Sequence, residues 1–203
     1  LRLGSLESVE LSADLLALMR TEPRFAAHLH LPLQAGSDAV LRAMNRHYDT
    51  AAFAALLADV RAAVPGVAIS TDIIVGFPGE TEEDFAAGMD FVRAMGFARM
   101  HVFPYSARRG TPAARRTDQV PPMVRKERAA RMQALAEELA EAYHRSMLGS
   151  AVEVLFETCV DGVSDGLTET YVRVYTDAPV TRGEIVSVRL THLYRDGIWG
   201  AMV

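Results

Sequence analysis

Hydrophobic positions follow two different periods along the first 118 residues of this chain. Short unbroken apolar runs predict strands that are buried on both faces, and apolar residues three or four positions apart predict helices between them. The predicted strands lie at residues 1–5, 28–33, 68–75 and 99–105. Because strands that alternate with helices at this spacing form βα units with right-handed crossovers, the sequence predicts an α/β fold with a parallel sheet.

The clearest unit runs from Ala68 to Asp84, AISTDIIVGFPGETEED. Its apolar run ends in a turn rich in glycine and proline, and Thr81 with Asp84 three residues later predicts a capped helix N-terminus. Small residues at the carboxyl end of a strand let a ligand lie against the backbone. A tight strand-to-helix turn without a ligand has the same composition, so the pattern alone leaves both interpretations open.

Polar clusters come directly after the predicted strands. Gln34 to Asp38 follows the second strand, and Ser106 to Pro112 follows the fourth. Because ligands of α/β sheets and barrels collect at the carboxyl ends of strands, we expect these clusters at one ligand-binding edge. An unrelated α/β-barrel enzyme that binds a phosphorylated small molecule at this edge is one interpretation, but it leaves the C-terminal part of the chain unexplained.

From Pro121 onward the pattern changes. Apolar residues at helical spacing predict one long amphipathic helix that ends near Gly149, and short alternating segments follow it. These segments are Val152–Thr158, Leu167–Tyr175, Ile185–Leu190 and Ile198–Val203. Asp-Gly and Arg-Gly turn signals separate them, which predicts a small β-barrel of the OB-like kind. The predicted division is 1–118 for the α/β part, 119–145 for the connecting helix and 146–203 for the β-barrel.

Composition and charge restrict the function only locally. The 203 residues carry a net charge of −5, which gives no general argument for nucleic acid. The segment from Arg108 to Arg131 is nevertheless strongly basic, which is typical of a solvated helix face or of a surface that faces RNA. No apolar stretch approaches the length of a membrane-spanning helix, so we expect a cytoplasmic protein without a membrane partner.

The sequence contains no recognisable metal-binding pattern. The single cysteine, Cys159, excludes a disulfide framework and a cysteine cluster within this chain. His28, His30, His47 and His101 are not at metal-ligand spacing, and we interpret them as structural or RNA-facing. No metal ligand is therefore predicted.

Three long segments resemble the radical S-adenosylmethionine methylthiotransferase family. They are HLHLPLQAGSDAVLRAMNRHY at 28–48, STDIIVGFPGETEEDF at 70–85 and HVFPYSARRGTPAA at 101–114, and they occur in the order that the family uses. The segment at 146–203 resembles the TRAM module that closes these enzymes and binds RNA. The resemblance implies the last four βα units of a partial (βα)6 TIM-like barrel, followed by a small all-β, OB-like TRAM barrel.

The family has several branches, and two short segments distinguish them here. HVFPYS at 101–106 and GLTETY at 166–171 most resemble the branch that adds a methylthio group to C2 of N6-threonylcarbamoyladenosine at position 37 of tRNA. The branches acting on isopentenyladenosine in tRNA and on a ribosomal protein are alternatives, as is a truncated, non-catalytic RNA-binding protein. The implied partners are a tRNA anticodon stem-loop and, for the full-length enzyme, a flavodoxin- or ferredoxin-like reductant.

The resemblance implies S-adenosyl-L-methionine as cofactor and two [4Fe–4S] clusters in the full-length enzyme. One cysteine cannot replace the six that these clusters use, so their ligands are absent from this chain. We therefore expect the C-terminal portion of a longer protein, inactive by itself and without a catalytic residue of its own. Ala35 and Arg109 also differ from the serine and proline that are usual at these positions.

The resemblance also implies which residues bind the cofactor. Its ribose and methionine parts would be bound by Ser5, Gln34, Ser37 and Asp72, and its adenine would lie against Gly76, Phe77, Pro78 and Gly79, with Glu80 in the same turn and Arg108 at the mouth of the site. Structural alternatives remain for several of them. Ser37 would cap a helix, Glu80 would hold the turn by accepting backbone N–H groups, and Arg108 would form an ion pair.

In the predicted β-barrel, arginines and tyrosines occur together, as they do on RNA-binding surfaces. The predicted RNA-binding residues are Arg173, Arg182, Arg189 and Arg195, accompanied by Tyr171, Tyr175 and Tyr194. Aromatic residues of a small barrel also form its core, and arginines also keep an edge strand soluble, so these structural roles are the alternative.

Overall fold

The computed structural model describes residues 1–7 and 10–203. Within these residues, helices and strands alternate through the first half of the chain, one long helix follows, and strands form the remainder. The elements in chain order are α1 (Ala13–Thr21), β1 (His28–His30), α2 (Asp38–Ala43), α3 (Thr50–Ala63), β2 (Ala68–Val75), α4 (Glu82–Met95), β3 (Arg99–Pro104), α5 (Pro122–Met147), β4 (Ala151–Val160), β5 (Val163–Thr168), β6 (Arg173–Thr176), β7 (Ile185–Tyr194) and β8 (Gly197–Met202).

The first half forms a three-stranded parallel sheet in the order β1-β2-β3. The predicted parallel sheet is thus confirmed, but the predicted strand at residues 1–5 is wrong. Only Ser5 pairs, in an isolated parallel bridge to His30. The predicted strand at 28–33 is shortened to β1 because Pro32 has no N–H for a ladder hydrogen bond. Pairing to β2 resumes only in the isolated bridge between Gln34 and Ile73.

One face of this sheet packs against the helices, and alternate residues of each strand supply its apolar core. Ile69 and Ile73 of β2 and Met100 of β3 are buried there together with residues of α3, α4 and α5. The helix after β2 begins as the sequence predicts, because the Thr81 side chain and the Asp84 side chain form a complete capping box. It ends at Gly96 in the left-handed conformation, with φ of 58°.

The other face of the sheet, which we call the open face, carries mostly polar and aromatic side chains. Its members on β2 and β3 border cavities and include Ser70, Asp72, Ile74, Arg99, His101 and Phe103. These residues alternate with the core residues of the same strands, as the two-residue period of a strand requires. The open face therefore extends from the amino ends of β2 and β3 to their carboxyl ends.

The C-terminal strands form a closed five-stranded barrel in the order β4-β5-β6-β8-β7. This confirms the predicted small β-barrel, whose core includes Val154, Val174, Val188 and Ile198. The predicted single strand Leu167–Tyr175 is wrong, because the chain turns between β5 and β6. Tyr171 lies in that turn in the left-handed conformation, with φ of 69°.

Helix α5 joins the two parts. Its Met132 and Leu135 are buried in the core of the sheet, whereas its Tyr143 and Met147 pack against the core of the barrel. Among the described residues, no helix has the length and apolar character needed to cross a membrane.

Candidate functional site

A cavity of about 690 Å³ lies at the carboxyl ends of β2 and β3. It is lined by residues of all three strand-to-helix connections of the sheet. Among the residues that the sequence predicted to bind a cofactor, the lining includes Gln34, Asp72, Phe77 and Arg108. Ile74 and Tyr105 add apolar and aromatic surface to the same wall. The predicted ligand-binding edge is therefore a concave site, with polar groups distributed around an apolar floor.

Gln34 is held at this edge by an unusual backbone conformation. Its φ is 70°, which is rare for a residue other than glycine. Hydrogen bonds on both sides secure it, because its N–H donates to Asp72 O at 2.9 Å and its own carbonyl accepts from Ile74 N–H at 2.8 Å. Strained backbone of this kind clusters at ligand-binding sites. The pairing directs the chain from the end of β1 across the carboxyl end of β2.

The glycine-rich turn after β2 is packed by arginines of the following segment. Gly76 and Gly79 have φ values of 72° and 84°, which require glycine. A Cβ at Gly76 would overlap the side chain of Arg125, and one at Gly79 would overlap Arg116. These two glycines therefore make room for the protein's own side chains. Pro78 is buried in the same turn.

Glu80 fastens this turn from inside. Its Oε2 accepts a hydrogen bond from Gly76 N–H at 2.6 Å and another from Arg128 Nη1 at 2.8 Å. The side chains of Glu80 and Arg128 are only 5% and 6% exposed. Burial raises the pKa of Glu80, although the Gly76 N–H and the Arg128 guanidinium oppose this shift. The geometry matches the structural role, in which Glu80 accepts backbone N–H groups.

Ser37 and Ser5 lie outside the cavity at the carboxyl edge. The Ser37 side chain is buried, and its hydroxyl donates to Asp84 Oδ1 at 2.7 Å. Ser37 therefore ties the loop after β1 to the capping box of α4, and it makes no capping bond to its own helix. Ser5 is exposed beside His30. Neither hydroxyl faces the cavity that contains Gln34 and Asp72.

The structure brings together three side chains that sequence spacing does not connect. Asp72 lies between two histidines, with Oδ2 at 3.2 Å from His30 Nε2 and Oδ1 at 3.1 Å from His101 Nδ1. The interpretation that these histidines have no spacing typical of metal ligands holds only along the sequence, because their ligand atoms and that of Asp72 cluster in space. Strand register creates the cluster, since Asp72 is paired with His101.

A second cavity, of about 890 Å³, separates the open face from the β-barrel. Arg99, His101 and Phe103 of β3 line one side, and Tyr171 and Arg173 line the other. The Tyr171 ring stacks on His28 at a centroid distance of 5.6 Å. Since Phe103 also lines the cavity at the carboxyl edge, the two cavities meet at this residue.

The four predicted RNA-binding arginines are dispersed over the barrel. Arg173 pairs with Asp165 and lies 3.6 Å from Asp196, so its charge is already partnered. The guanidinium of Arg195 lies over the rings of Tyr175 and Tyr194, at 5.6 and 5.1 Å from their centroids. Arg182 and Arg189 are exposed, as Arg195 is. Arg189 donates to Gly149 O, and Arg182 occupies a turn.

Comparison with known proteins agrees with this geometry. Residues 5–92 match the Radical SAM superfamily. The chain is 37% identical over 196 residues to threonylcarbamoyladenosine tRNA methylthiotransferase of Bacillus subtilis, a match that covers 94% of this chain and 44% of that protein. It is 41% identical over 212 residues to tRNA-2-methylthio-N6-dimethylallyladenosine synthase of Mycobacterium ulcerans, covering 97% and 40%. The predicted resemblance to the radical S-adenosylmethionine methylthiotransferases is confirmed.

The chain spans less than half the length of either methylthiotransferase. Among solved structures, it is similar to coproporphyrinogen III oxidase of Escherichia coli, described as a radical SAM enzyme, with a TM-score of 0.55 and 18% identity. That likeness covers 81% of this chain and 45% of the other. It supports the radical SAM barrel-like fold and carries no functional information by itself.

The family resemblance implies two kinds of cofactor, S-adenosylmethionine and iron–sulfur clusters, and the residues present fit the first of them. The cavity at the carboxyl edge is lined by Tyr105, whose buried hydroxyl has no hydrogen-bond partner among the described residues, and by the guanidinium of Arg108. These groups suit the polar parts and the carboxylate of S-adenosylmethionine. An iron–sulfur cluster does not fit, because Cys159 is the only cysteine and lies exposed on β4 of the barrel.

Proposed function

We propose that this chain is the S-adenosylmethionine-binding and RNA-binding part of a tRNA methylthiotransferase. The full-length enzyme would add a methylthio group to C2 of N6-threonylcarbamoyladenosine at position 37 of tRNA. It would act in the cytoplasm, would carry two [4Fe–4S] clusters on parts outside this chain, and would receive electrons from a flavodoxin- or ferredoxin-like reductant. The chain alone would then bind cofactor and RNA without turnover.

One observation carries the choice of substrate. Two arginines, Arg46 and Arg108, line the cavity at the carboxyl edge of the sheet. One suffices for the carboxylate of S-adenosylmethionine, and the threonyl group of the substrate brings a second carboxylate. Arginine is the residue best suited to bind carboxylates, because its planar guanidinium donates two parallel hydrogen bonds. A dimethylallyl group is uncharged, so Arg46 would be left with its ion pair to the exposed Glu7 at 3.4 Å and no substrate carboxylate.

The proposed cofactor site uses the residues around this cavity. S-adenosylmethionine supplies the radical chemistry when bound, and the protein orients it and excludes water. Gln34, Asp72 and Tyr105 would donate or accept hydrogen bonds at its polar parts. Phe77 would contribute apolar surface near its adenine, and Arg108 would bind its carboxylate. Gly76, Pro78, Gly79 and Glu80 would then shape the wall of the site.

The β-barrel is proposed to be a TRAM module that binds the anticodon stem-loop. Arg182, Arg189 and Arg195 are exposed on it, and the rings of Tyr175 and Tyr194 lie beneath Arg195. Arginine over aromatic rings suits both RNA phosphates and stacked bases. We accordingly divide the chain into a cofactor part at 1–118, a connecting helix at 119–145 and an RNA-binding part at 146–203.

Nucleoside analysis of tRNA tests the proposed function. Total tRNA from cells with and without the gene is digested and analysed by mass spectrometry. We expect loss of 2-methylthio-N6-threonylcarbamoyladenosine, accumulation of the nucleoside without the methylthio group, and recovery when the gene is returned. Dimethylallyladenosine derivatives serve as the internal control and should not change.

The dimethylallyladenosine branch is the second candidate. It is favoured by the higher identity, 41% against 37%, to the synthase that carries this name. If the deletion removed 2-methylthio-N6-dimethylallyladenosine instead, this branch would replace the first proposal. If neither nucleoside changed, both tRNA branches would be wrong.

A further inference from the structure

A continuous series of hydrogen bonds crosses the open face from strand β1, through β2, to β3. His28 Nε2 lies 3.1 Å from Ser70 Oγ, and Ser70 Oγ lies 2.9 Å from His30 Nδ1. His30 Nε2 lies 3.2 Å from Asp72 Oδ2, and Asp72 Oδ1 lies 3.1 Å from His101 Nδ1. All of these distances are in the hydrogen-bonding range. The series ends at His101, whose side chain is 44% exposed.

The positions of the hydrogens follow from the buried end of the series. His28 is 7% exposed, and its Nδ1 is buried without a partner among the described residues. A hydrogen on that nitrogen would be an unpaired buried donor, so the hydrogen of the neutral ring belongs on Nε2 and is donated to Ser70. Ser70 has one hydrogen of its own, which it donates to His30 Nδ1. His30 therefore carries its hydrogen on Nε2, facing Asp72.

Asp72 then accepts one hydrogen bond with each carboxylate oxygen. Oδ2 accepts from His30, and Oδ1 accepts from Nδ1–H of His101. A carboxylate that holds one ring nitrogen of a histidine fixes its tautomer, so the neutral His101 ring bears its lone pair on Nε2. That lone pair belongs to an exposed ring on the wall of the cavity between the sheet and the barrel.

Phe103 supplies the apolar partner of this acceptor. It lies two residues after His101 on the same face of β3, is 48% exposed and lines both cavities. Its ring lies edge-on to His101, with 6.5 Å between the ring centroids. An exposed aromatic ring beside an oriented hydrogen-bond acceptor suits a nucleobase, which stacks by its face and donates from its edge.

We propose that Phe103 and His101 bind the target purine base. Phe103 stacks on the base, and His101 Nε2 accepts a hydrogen bond from an N–H on its edge. Asp72, His30 and Ser70 are positioning residues that orient His101. The inference rests on the proposed function and names the residues that select its substrate. The location is suitable, since it lies between the cavity proposed for the cofactor and the barrel proposed to bind RNA.

A metal ion is the competing occupant of the same cluster. It would require lone pairs on both His30 Nε2 and His101 Nδ1. His30 would then carry its hydrogen on Nδ1 and donate it to Ser70. The hydroxyl of Ser70 would be left to donate only to Leu29 O, at 3.4 Å. The hydrogen-bonded series satisfies these groups better, and metal binding becomes an outcome of the test.

The first arm of the test measures the tautomer of His101. ¹⁵N-histidine-labelled chain is examined by NMR, and the His101 signals are identified with His101→Gln. We expect hydrogen on Nδ1 of His101 in the parent. Asn has one acceptor and one donor in place of two acceptors, so Asp72→Asn should move the hydrogen of His101 to Nε2. His47→Gln, an exposed histidine outside the cluster, should leave His101 unchanged. An unaltered tautomer in Asp72→Asn overturns the positioning role.

The second arm measures RNA binding by fluorescence anisotropy. The probes are two anticodon stem-loops that differ only at position 37, which carries N6-threonylcarbamoyladenosine or an abasic site. We expect the parent to prefer the first by about tenfold, a value in keeping with one stacked base and one hydrogen bond. Phe103→Leu and His101→Ala should each lose most of the preference, while His47→Ala retains it.

The outcomes separate the inference from the proposed function. A parent that binds both RNAs, with a preference unchanged in Phe103→Leu and His101→Ala, overturns the base pocket alone. A parent that binds neither RNA overturns the proposed RNA-binding function and the pocket with it. Stoichiometric Zn²⁺ uptake by the parent that His101→Ala abolishes would show a metal site and would also overturn the pocket.

Discussion

At the scale of single residues, His28 shows how burial controls protonation in this protein. Its ring stacks on that of Tyr171, and the residue is 7% exposed. Burial is the main cause that lowers its pKa from 6.5 to about 4, and the electrostatic influence of Arg2, His30 and Arg99 adds to this shift. His28 is therefore neutral at pH 7, which agrees with its buried Nδ1 having no hydrogen-bond partner among the described residues.

This shift predicts a loss of stability in mild acid. Between pH 6.5 and about 4 the unfolded chain binds a proton that folded His28 does not, so the free energy of unfolding should fall as the pH falls. The loss is about 1.4 kcal/mol per pH unit, or about 3 kcal/mol in total. Urea unfolding of the parent and of His28→Gln at pH 7 and pH 4.5 measures it.

The comparison with His28→Gln isolates this one residue. Carboxyl groups with lowered pKa, such as Asp38 and Asp84, destabilise both proteins equally in acid. The parent should therefore lose more stability than the variant over this range, and His47→Gln should behave as the parent does. Parallel pH profiles for the parent and His28→Gln would contradict the prediction.

Single residues also mark the limit of what the sequence predicts. Asp72 stands out because a carboxylate in an apolar strand needs partners. Its partners could not be named, because His30 lies 42 residues before it and His101 lies 29 residues after it. Only the register of the strands brings the three side chains together. Gly76 is predicted as a ligand contact from its size, yet its conformation and Arg125 explain it without one. Such side-chain neighbours depend on the fold as a whole.

At the scale of elements, a close approach of backbones fixes the loop after β1 against α4. Gly36 lies against Gly88 in the middle of that helix, and a Cβ on Gly36 would come within 2.7 Å of the Gly88 Cα and carbonyl oxygen. A Cβ on Gly88 would meet the Gly36 backbone only at 3.7 Å, which is ordinary contact. The two glycines of one contact therefore differ in tolerance.

This asymmetry predicts opposite effects of the same substitution. Gly36→Ala should lower the free energy of unfolding by about 1–3 kcal/mol, because backbone must move to admit the methyl group. Gly88→Ala should be neutral or stabilising by up to about 1 kcal/mol, since alanine favours a helix interior. Urea unfolding of the two variants measures both effects, and each serves as the other's control. A destabilised Gly88→Ala with an unaffected Gly36→Ala would refute this packing.

Elements with strong local signals could be predicted from the sequence. β2 occupies the predicted range 68–75, and the predicted capping box begins α4. The misassigned elements have no comparable local signal. The split between β5 and β6 depends on Tyr171 in a left-handed turn, where its N–H donates to Thr168 O, and tyrosine does not signal such a turn.

At the scale of the whole molecule, the order of the parts was predictable and their contact was not. Apolar periodicity predicted a sheet, a long helix and a small barrel in sequence. The surface between sheet and barrel is formed by residues distant in the chain. Arg2 donates to Thr168 O and Glu169 O at 3.1 Å each, and its guanidinium lies 4.1 Å from the centroid of the Tyr171 ring. Arg99 lies over the same ring at 5.5 Å.

Tyr171 therefore couples the two parts, and its removal should weaken their cooperativity. Stacking and cation–π contacts of this kind contribute about 1–2 kcal/mol. Tyr171→Gly removes the ring and suits the left-handed conformation, so it adds no backbone strain. Tyr171→Phe keeps the ring and is the matched control.

Calorimetry distinguishes coupled from uncoupled unfolding. We expect the parent and Tyr171→Phe to unfold in one transition, with the calorimetric enthalpy equal to the van't Hoff enthalpy. Tyr171→Gly should broaden or split the transition, so that the calorimetric enthalpy exceeds the van't Hoff value. Helix α5 still connects both cores in that variant, through Met132 and Leu135 on one side and Tyr143 and Met147 on the other. A single unchanged transition in Tyr171→Gly would therefore assign the coupling to α5 instead of to Tyr171.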